Sequence, residues 1–153
     1  MKQVAKLIIV TILVILISGG TAYYVKSKQY QEKYRRPMPF STFFNGIEKL
    51  PSWKVILVGM LYGLVFGFLD NLFIFFGIDS LEKYMPGGTL TKAGLGNTYS
   101  DFVGALVGTY IGVIFNSLLE IDQNDIPIWA NTVAITIGCL IGLYVPLLIT
   151  GKK

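Results

Sequence analysis

Residues 55–78, VILVGMLYGLVFGFLDNLFIFFGI, form an apolar run of 24 residues in which Asp70 is the only charge. At about 1.5 Å of rise per residue, a helix of this length crosses the ~30 Å hydrocarbon core of a bilayer. The backbone of an isolated segment in lipid must satisfy its own hydrogen bonds, and a helix does so. We therefore expect residues 55–78 to form a transmembrane helix.

Three further runs have the same character. Residues 7–25 and 126–151 carry no charge, and residues 93–119 carry only Asp101. The composition agrees, because 53% of the chain is hydrophobic and 14% is charged, whereas an average soluble domain is about a quarter charged. We predict an all-α, multi-pass integral membrane protein with four spans. The sequence does not identify which membrane it occupies.

The prediction divides the chain into three parts. Residues 1–25 form an N-terminal anchor, residues 26–54 a linker, and residues 55–153 a glycine-rich three-helix core. Small residues at 18–22 make a cleavable signal peptide the alternative to the anchor. We favour the anchor, because the apolar run continues to Val25.

The linker is basic and aromatic. It holds seven Lys and Arg residues against two acids, and Phe40, Phe43 and Phe44 are expected at the membrane interface. We interpret the charge mainly as an orientation signal, with binding to anionic lipid headgroups as the alternative. Basic residues number seven on the linker side of the membrane and six on the other, so orientation stays undecided. The net charge of +4 does not point to nucleic acid, because no soluble basic domain carries it.

The chain has no His and a single Cys. This excludes His-based proton relays, His metal sites, paired-Cys zinc sites and an intrachain disulfide. We predict no enzyme activity and no resident cofactor. Any binding site is confined to oxygen ligands, which suit hard cations or protons.

Asp70 and Asp101 are the two charges inside predicted spans. A charged side chain there costs at least ~2.5–3.5 kcal/mol on insertion scales, so it usually has a task. Each lies eight residues from the loop 79–92 that joins the two spans, which places both about 12 Å from the same membrane surface. We favour an ion or proton site. Interhelical hydrogen bonding is one alternative, and an N-cap role for Asp101 after a helix break at 94–96 is another.

Oxygen-bearing side chains surround both aspartates. Asn71 follows Asp70, and Asn97 lies one turn before Asp101. The predicted ion-binding residues are Asp70, Asn71, Asn97 and Asp101, with Thr98 and Ser100 as possible additional ligands.

Glycines recur at four-residue steps in the three core spans, a spacing that lets membrane helices approach closely. They are Gly59, Gly63 and Gly67 in the first, Gly104, Gly108 and Gly112 in the second, and Gly138 and Gly142 in the third. These rows continue into the polar residues. We therefore expect helix contact to bring Asp70, Asn71, Asn97 and Asp101 together.

Three strings also resemble a known family. They are Gly67-Phe68-Leu69-Asp70-Asn71, Gly94-Leu95-Gly96-Asn97-Thr98-Tyr99-Ser100-Asp101 and Thr136-Ile137-Gly138-Cys139-Leu140-Ile141-Gly142. In this order they resemble the transmembrane protein 65 family over roughly residues 60–150. The resemblance implies a three-helix membrane core linked to sodium-dependent calcium efflux, with motif acids and amides at Asp70, Asn71, Asn97 and Asp101. Gly94 and Thr98-Tyr99 depart from the family pattern, and its mitochondrial location does not transfer.

These observations predict a cation transporter, with sodium-dependent calcium exchange as the expected reaction. Calcium and sodium are the expected ions, and membrane lipids are the expected surroundings. The expected assembly is a homodimer packed through glycine-rich faces. A non-transporting membrane scaffold is the alternative. An intramembrane aspartyl protease also needs two aspartates, but this chain lacks the number of helices and the glycine-x-glycine-aspartate context usual for that chemistry.

Overall fold

The computed structural model describes residues 2–46, 51–120 and 126–151, which contain helices and no strand. The helices are α1 (Lys2–Tyr34), α2 (Phe40–Asn45), α3 (Trp53–Leu81), α4 (Thr89–Leu119) and α5 (Ile128–Thr150), with a 3₁₀ turn at Glu82–Tyr84. Four of them, α1, α3, α4 and α5, are long and apolar enough to cross a membrane. This confirms the prediction of an all-α membrane protein with four spans. Residues 47–50 of the predicted linker and most of the loop after α4 lie outside the described residues.

The chain forms two compact units, Met1–Phe44 and Asn45–Lys153. In the first unit, α1 continues nine residues beyond the predicted end of the apolar run. The chain then folds back, and the Tyr23 hydroxyl donates to the Met38 carbonyl at 2.9 Å. Phe43 is buried, and its ring meets the Tyr23 ring edge-on at 5.3 Å between centroids. Phe40 and Phe44 are exposed.

In the second unit, α3 is the central helix. It packs against both α4 and α5, whereas α4 and α5 have no comparable interface with each other among the described residues. Helices α3 and α5 run in the same direction and α4 runs opposite to them, as the order of the facing residues shows. The two neighbours therefore occupy different faces of α3.

The glycine row of α3 faces α5. Gly59, Gly63 and Gly67 contact α5 and the residues just before it, and Gly138 and Gly142 contact α3 in return. A Cβ atom would overlap backbone atoms of the opposite helix at four of these positions, Gly63, Gly67, Gly138 and Gly142. At Gly63 it would lie 2.6 Å from a carbonyl oxygen. The two backbones are therefore close enough to require glycine at these positions.

The glycine row of α4 meets a different row of α3. A Cβ on Gly104 would lie 3.0 Å from the Phe66 carbonyl oxygen, and one on Gly108 would lie 3.1 Å from that of Tyr62. At Gly112 the nearest atom is an ordinary 3.8 Å away. The large side chains of α3 thus face the small residues of α4. The glycines of α3 and α4 do not pack on each other.

Helix α4 begins earlier than predicted and has no break. It starts at Thr89 after the N-cap Gly88 and runs through Gly94 and Gly96 to Leu119. The N-cap role for Asp101 is therefore wrong. A glycine costs a helix about 1 kcal/mol relative to alanine, which is less than the cost of an unpaired backbone group in lipid.

Candidate functional site

The two intramembrane aspartates meet across the α3–α4 interface. The Ser100 hydroxyl donates to Asp70 Oδ1 at 2.5 Å, and Ser100 is fully buried. The Asp101 side chain lies within hydrogen-bonding reach of the Asp70 carboxyl group.

Asn97 completes this group on α4. Its Nδ2 donates to Asp101 Oδ2 at 2.7 Å, one helical turn along. Asp101 is half-buried, whereas Asn97 is exposed on the surface of α4. We call Asp70, Asn97, Ser100 and Asp101 the carboxylate cluster. It is buried at its α3–α4 contact and open on the side where Asn97 lies.

The single proton of the Ser100 hydroxyl has two acceptors within reach. Asp70 Oδ1 lies 2.5 Å from Oγ, and the backbone oxygen of Asn97 lies 2.9 Å from it. One hydroxyl donates one hydrogen bond at a time. Ser100 is therefore able to release Asp70 and still keep a partner within its own helix.

Asn71 does not share this arrangement. Its Nδ2 donates to the backbone oxygen of Cys139 on α5, at 2.8 Å. Asn71 continues the glycine row of α3, four residues after Gly67, and that row faces α5. The expectation that all four predicted residues would meet is therefore corrected, since Asn71 serves the other interface.

Thr98 is also engaged elsewhere. Its hydroxyl donates to the Gly94 backbone oxygen of its own helix at 2.9 Å, and the side chain is exposed. Of the two possible additional ligands, Ser100 is the one that contacts an aspartate. The glycine row contained the signal for this, because Ser100 lies four residues before Gly104 and therefore on the same face.

The cluster presents oxygen atoms of three kinds: carboxylate, amide and hydroxyl. Among the described residues, no group of three or more His, Cys, Asp or Glu side chains comes together. The cluster is thus a pair of carboxylates supplemented by neutral oxygens. Such ligands suit calcium, magnesium, sodium or protons. Calcium takes about 6–8 oxygens, so water or a second chain would complete its shell.

No family model matches the chain, and no curated protein or solved structure is similar to it. The resemblance to the transmembrane protein 65 family therefore stays a prediction that rests on the three quoted strings.

Proposed function

We propose that this protein is a membrane cation transporter that holds its cation at Asp70 and Asp101. The observation that carries the proposal is the meeting of these two side chains across α3 and α4, inside apolar spans. Each charge costs at least ~2.5–3.5 kcal/mol in a membrane helix. Hydrogen bonds between membrane helices return only about 0.6–2 kcal/mol. Structural hydrogen bonding alone does not offset the cost of two carboxylates.

The charge of the pair favours exchange. Two carboxylates are neutralised by one divalent cation, by two monovalent cations or by two protons. A site that accepts each of these fillings alternates between them without leaving two like charges together. We propose calcium as the divalent ion and sodium as the monovalent one, as the family resemblance implies.

Ser100 would keep a hydrogen-bond acceptor when a cation binds to the cluster. Its hydroxyl donates to Asp70 Oδ1 at 2.5 Å. A cation on Asp70 would need that oxygen, and the Ser100 proton would then turn to the Asn97 carbonyl. The exchange would therefore leave no buried donor unpaired.

A homodimer would close the open side of the cluster. Asn97 is exposed, and apart from its bond to Asp101 its amide would find no hydrogen-bond partner in lipid. Most of the glycines predicted to form the dimer contact pack instead against a neighbouring helix of the same chain. We propose instead that a second copy packs on the face of α4 that carries Gly94, Asn97 and Asp101. A Cβ at Gly94 meets nothing within 4 Å, so this face has room for close approach.

The test is calcium flux in proteoliposomes. Purified protein is reconstituted with an imposed sodium gradient, and uptake of radioactive calcium is measured for the wild type, Asp70→Asn and Asp101→Asn. Thr136→Val is the matched control, because the exposed Thr136 hydroxyl donates to the Thr132 carbonyl of its own helix. We expect both Asp variants to lose flux while the control keeps it. Undiminished flux in both Asp variants would overturn the assignment.

A further inference from the structure

The chain that follows α1 folds back onto that helix. Helix α1 continues past the end of the apolar run at Val25 and ends at Tyr34. Arg35 then has a left-handed backbone conformation, with φ of 58°, and the chain reverses its direction. The Tyr23 hydroxyl donates to the Met38 carbonyl at 2.9 Å. The returning chain thus reaches the side chain of Tyr23, two residues before the apolar run ends.

One face of α1 holds the returning chain. Tyr23, Ser27 and Tyr30 share this face and are partly covered, whereas most residues of α1 are exposed. The Phe43 ring meets the Tyr23 ring edge-on at 5.3 Å between centroids, and Met38 is buried. These contacts fix α2 beside α1 close to the end of its apolar run.

Two phenylalanine rings of α2 are left uncovered. Phe40 is 66% exposed and Phe44 is 44% exposed, and their rings stack at 6.1 Å between centroids. Because Phe43 lies against Tyr23, these neighbouring rings are near the depth at which the apolar run ends. Apolar rings at this depth are typical of segments that lie in the boundary between acyl chains and headgroups.

Basic residues occupy the part of the chain just beyond this depth. Between Val25 and Phe40 there are five Lys and Arg residues and one acidic residue, Glu32. The basic residues are all exposed, and they are Lys26, Lys28, Lys33, Arg35 and Arg36. A basic segment next to a membrane span attracts anionic lipids.

The basic residues differ in their distance from the membrane. For a helix along the membrane normal, Lys26 and Lys28 lie about 1.5 and 4.5 Å beyond Val25, and Lys33 and Arg35 about 12–15 Å beyond it. The attraction to a charged lipid surface falls off within a Debye length, which is about 8 Å at physiological ionic strength. Lys26 and Lys28 therefore lie at the level of the headgroup phosphates, and Lys33 and Arg35 lie outside contact.

The charge and the exposed rings together define the partner. We propose that the unit Met1–Phe44 binds anionic phospholipids, with Lys26 and Lys28 at the phosphates and the rings of Phe40 and Phe44 inserted just below them. An acidic soluble protein would complement the charge, but it would not cover apolar rings at the depth of the hydrocarbon boundary. This site is separate from the carboxylate cluster and does not depend on transport.

The experiment uses a fluorescent reporter at the proposed site. Phe40→Trp is made in a Trp53→Phe, Trp129→Phe background, which leaves one tryptophan in the chain. The full chain is reconstituted in vesicles of phosphatidylcholine and phosphatidylglycerol, with bromine on the acyl chains of one lipid or the other. Brominated chains quench a tryptophan that they touch. The ratio of the two quenching efficiencies therefore measures the local enrichment of phosphatidylglycerol.

Two pairs of substitutions remove the same charge at different depths. Lys26→Gln with Lys28→Gln removes the near pair, and Lys33→Gln with Arg35→Gln is the matched control. One basic residue at the surface changes lipid association by about fivefold. We expect the near pair to lower the enrichment by about fivefold or more, and the distant pair by less than about twofold. Added salt should lower the enrichment in the parent chain.

A second measurement keeps both natural tryptophans. Trp129 Nε1 donates to Asn45 Oδ1 at 3.2 Å, so the single-tryptophan background loses one hydrogen bond. Native mass spectrometry of the unlabelled chain counts bound phosphatidylglycerol and phosphatidylcholine directly. Phosphatidylglycerol should be retained in preference, and Lys26→Gln with Lys28→Gln should remove that preference. Free glycerol phosphate in excess should not displace the lipid, because it has no acyl chains to cover the phenylalanine rings.

Four outcomes would overturn the proposal. They are no quenching of the Trp at position 40 by either lipid, equal quenching by both lipids in the parent chain, unchanged enrichment in the near-pair variant, and equal losses in the two pairs. Equal losses would indicate an attraction that does not depend on depth, as for an acidic protein. Calcium flux is not a readout here, so failure of the lipid site and failure of the transport assignment are distinguishable.

Discussion

Ser100 and Asp70 join α3 to α4 through a hydrogen bond of 2.5 Å between Oγ and Oδ1, at a point where Ser100 is fully buried. Ser100 occupies the position in the small-residue row of α4 that faces the end of the Tyr62–Phe66–Asp70 row of α3. The hydroxyl at this position donates a hydrogen bond to α3, whereas the neighbouring glycines only allow the two helices to approach closely.

Replacing Ser100 by alanine tests this contact. We expect Ser100→Ala to lower the free energy of unfolding by about 1–2 kcal/mol, because a hydrogen bond to a carboxylate is lost inside the membrane. Denaturant unfolding in detergent measures the change. The control is Ser117→Ala, an exposed serine of the same helix, and equal stability of the two variants would contradict the prediction.

The close approach of α3 and α5 predicts a strong effect of Gly142→Ala. The added Cβ would overlap the backbone of Phe68, so we expect a loss of about 1–3 kcal/mol in unfolding free energy, as for other overpacked cores. Gly20→Ala on α1 is the matched control, since a Cβ there meets nothing within 4 Å. Its stability should be unchanged or slightly higher. A harmless Gly142→Ala would show that the helices are further apart.

We expect Asn71 to contribute to the stability of the fold and Asn97 to contribute to calcium binding. Asn71→Leu removes the bond to the Cys139 carbonyl and is expected to cost about 0.6–2 kcal/mol of stability. It should leave the calcium-dependent rise in Tm unchanged. Asn97→Leu should reduce that rise, because Asn97 contacts Asp101. Thermal unfolding with and without calcium separates the two effects, and the reverse pattern would place the ligand at the α3–α5 interface.

Calcium itself should stabilise the folded chain. At 100 times its Kd, a ligand that binds only the folded state adds about 2.7 kcal/mol. We expect Tm to rise on addition of calcium, to return to its starting value with a chelator, and to stay constant in Asp101→Asn. A calcium effect of full size in that variant would exclude Asp101 as a ligand.

The proposed dimer face is open to cross-linking. Thr98 is exposed on α4 next to Asn97, and Cys139 is the single cysteine of the chain. In a Cys139→Ala background, Thr98→Cys should form a disulfide between copies in proteoliposomes under mild oxidation. A cysteine at Thr136 on α5 is the control and should remain monomeric. Cross-linking at Thr136 alone would move the dimer contact to α5.

Much of the fold follows from apolar runs and their charges. Four runs long enough for a bilayer indicated four spans, and matched distances from one loop paired Asp70 with Asp101. The helix ends were less well predicted, since α1 continues to Tyr34 and α4 begins at Thr89. Hydropathy marks the part of a helix that lies in lipid, whereas the helix itself ends where capping residues and backbone geometry end it.

The sequence by itself determined the class of protein, the number of spans and the oxygen chemistry of any site, because these depend on composition and local spacing. Only the tertiary structure decided that the row ending in Asn71 turns to α5 and the row ending in Asp70 turns to α4. Periodicity along one helix defines which residues share a face. Which neighbour meets that face depends on how two helix surfaces fit. Between α3 and α5, glycines pack against the opposite backbone, whereas between α3 and α4 the glycines of α4 pack against Tyr62 and Phe66.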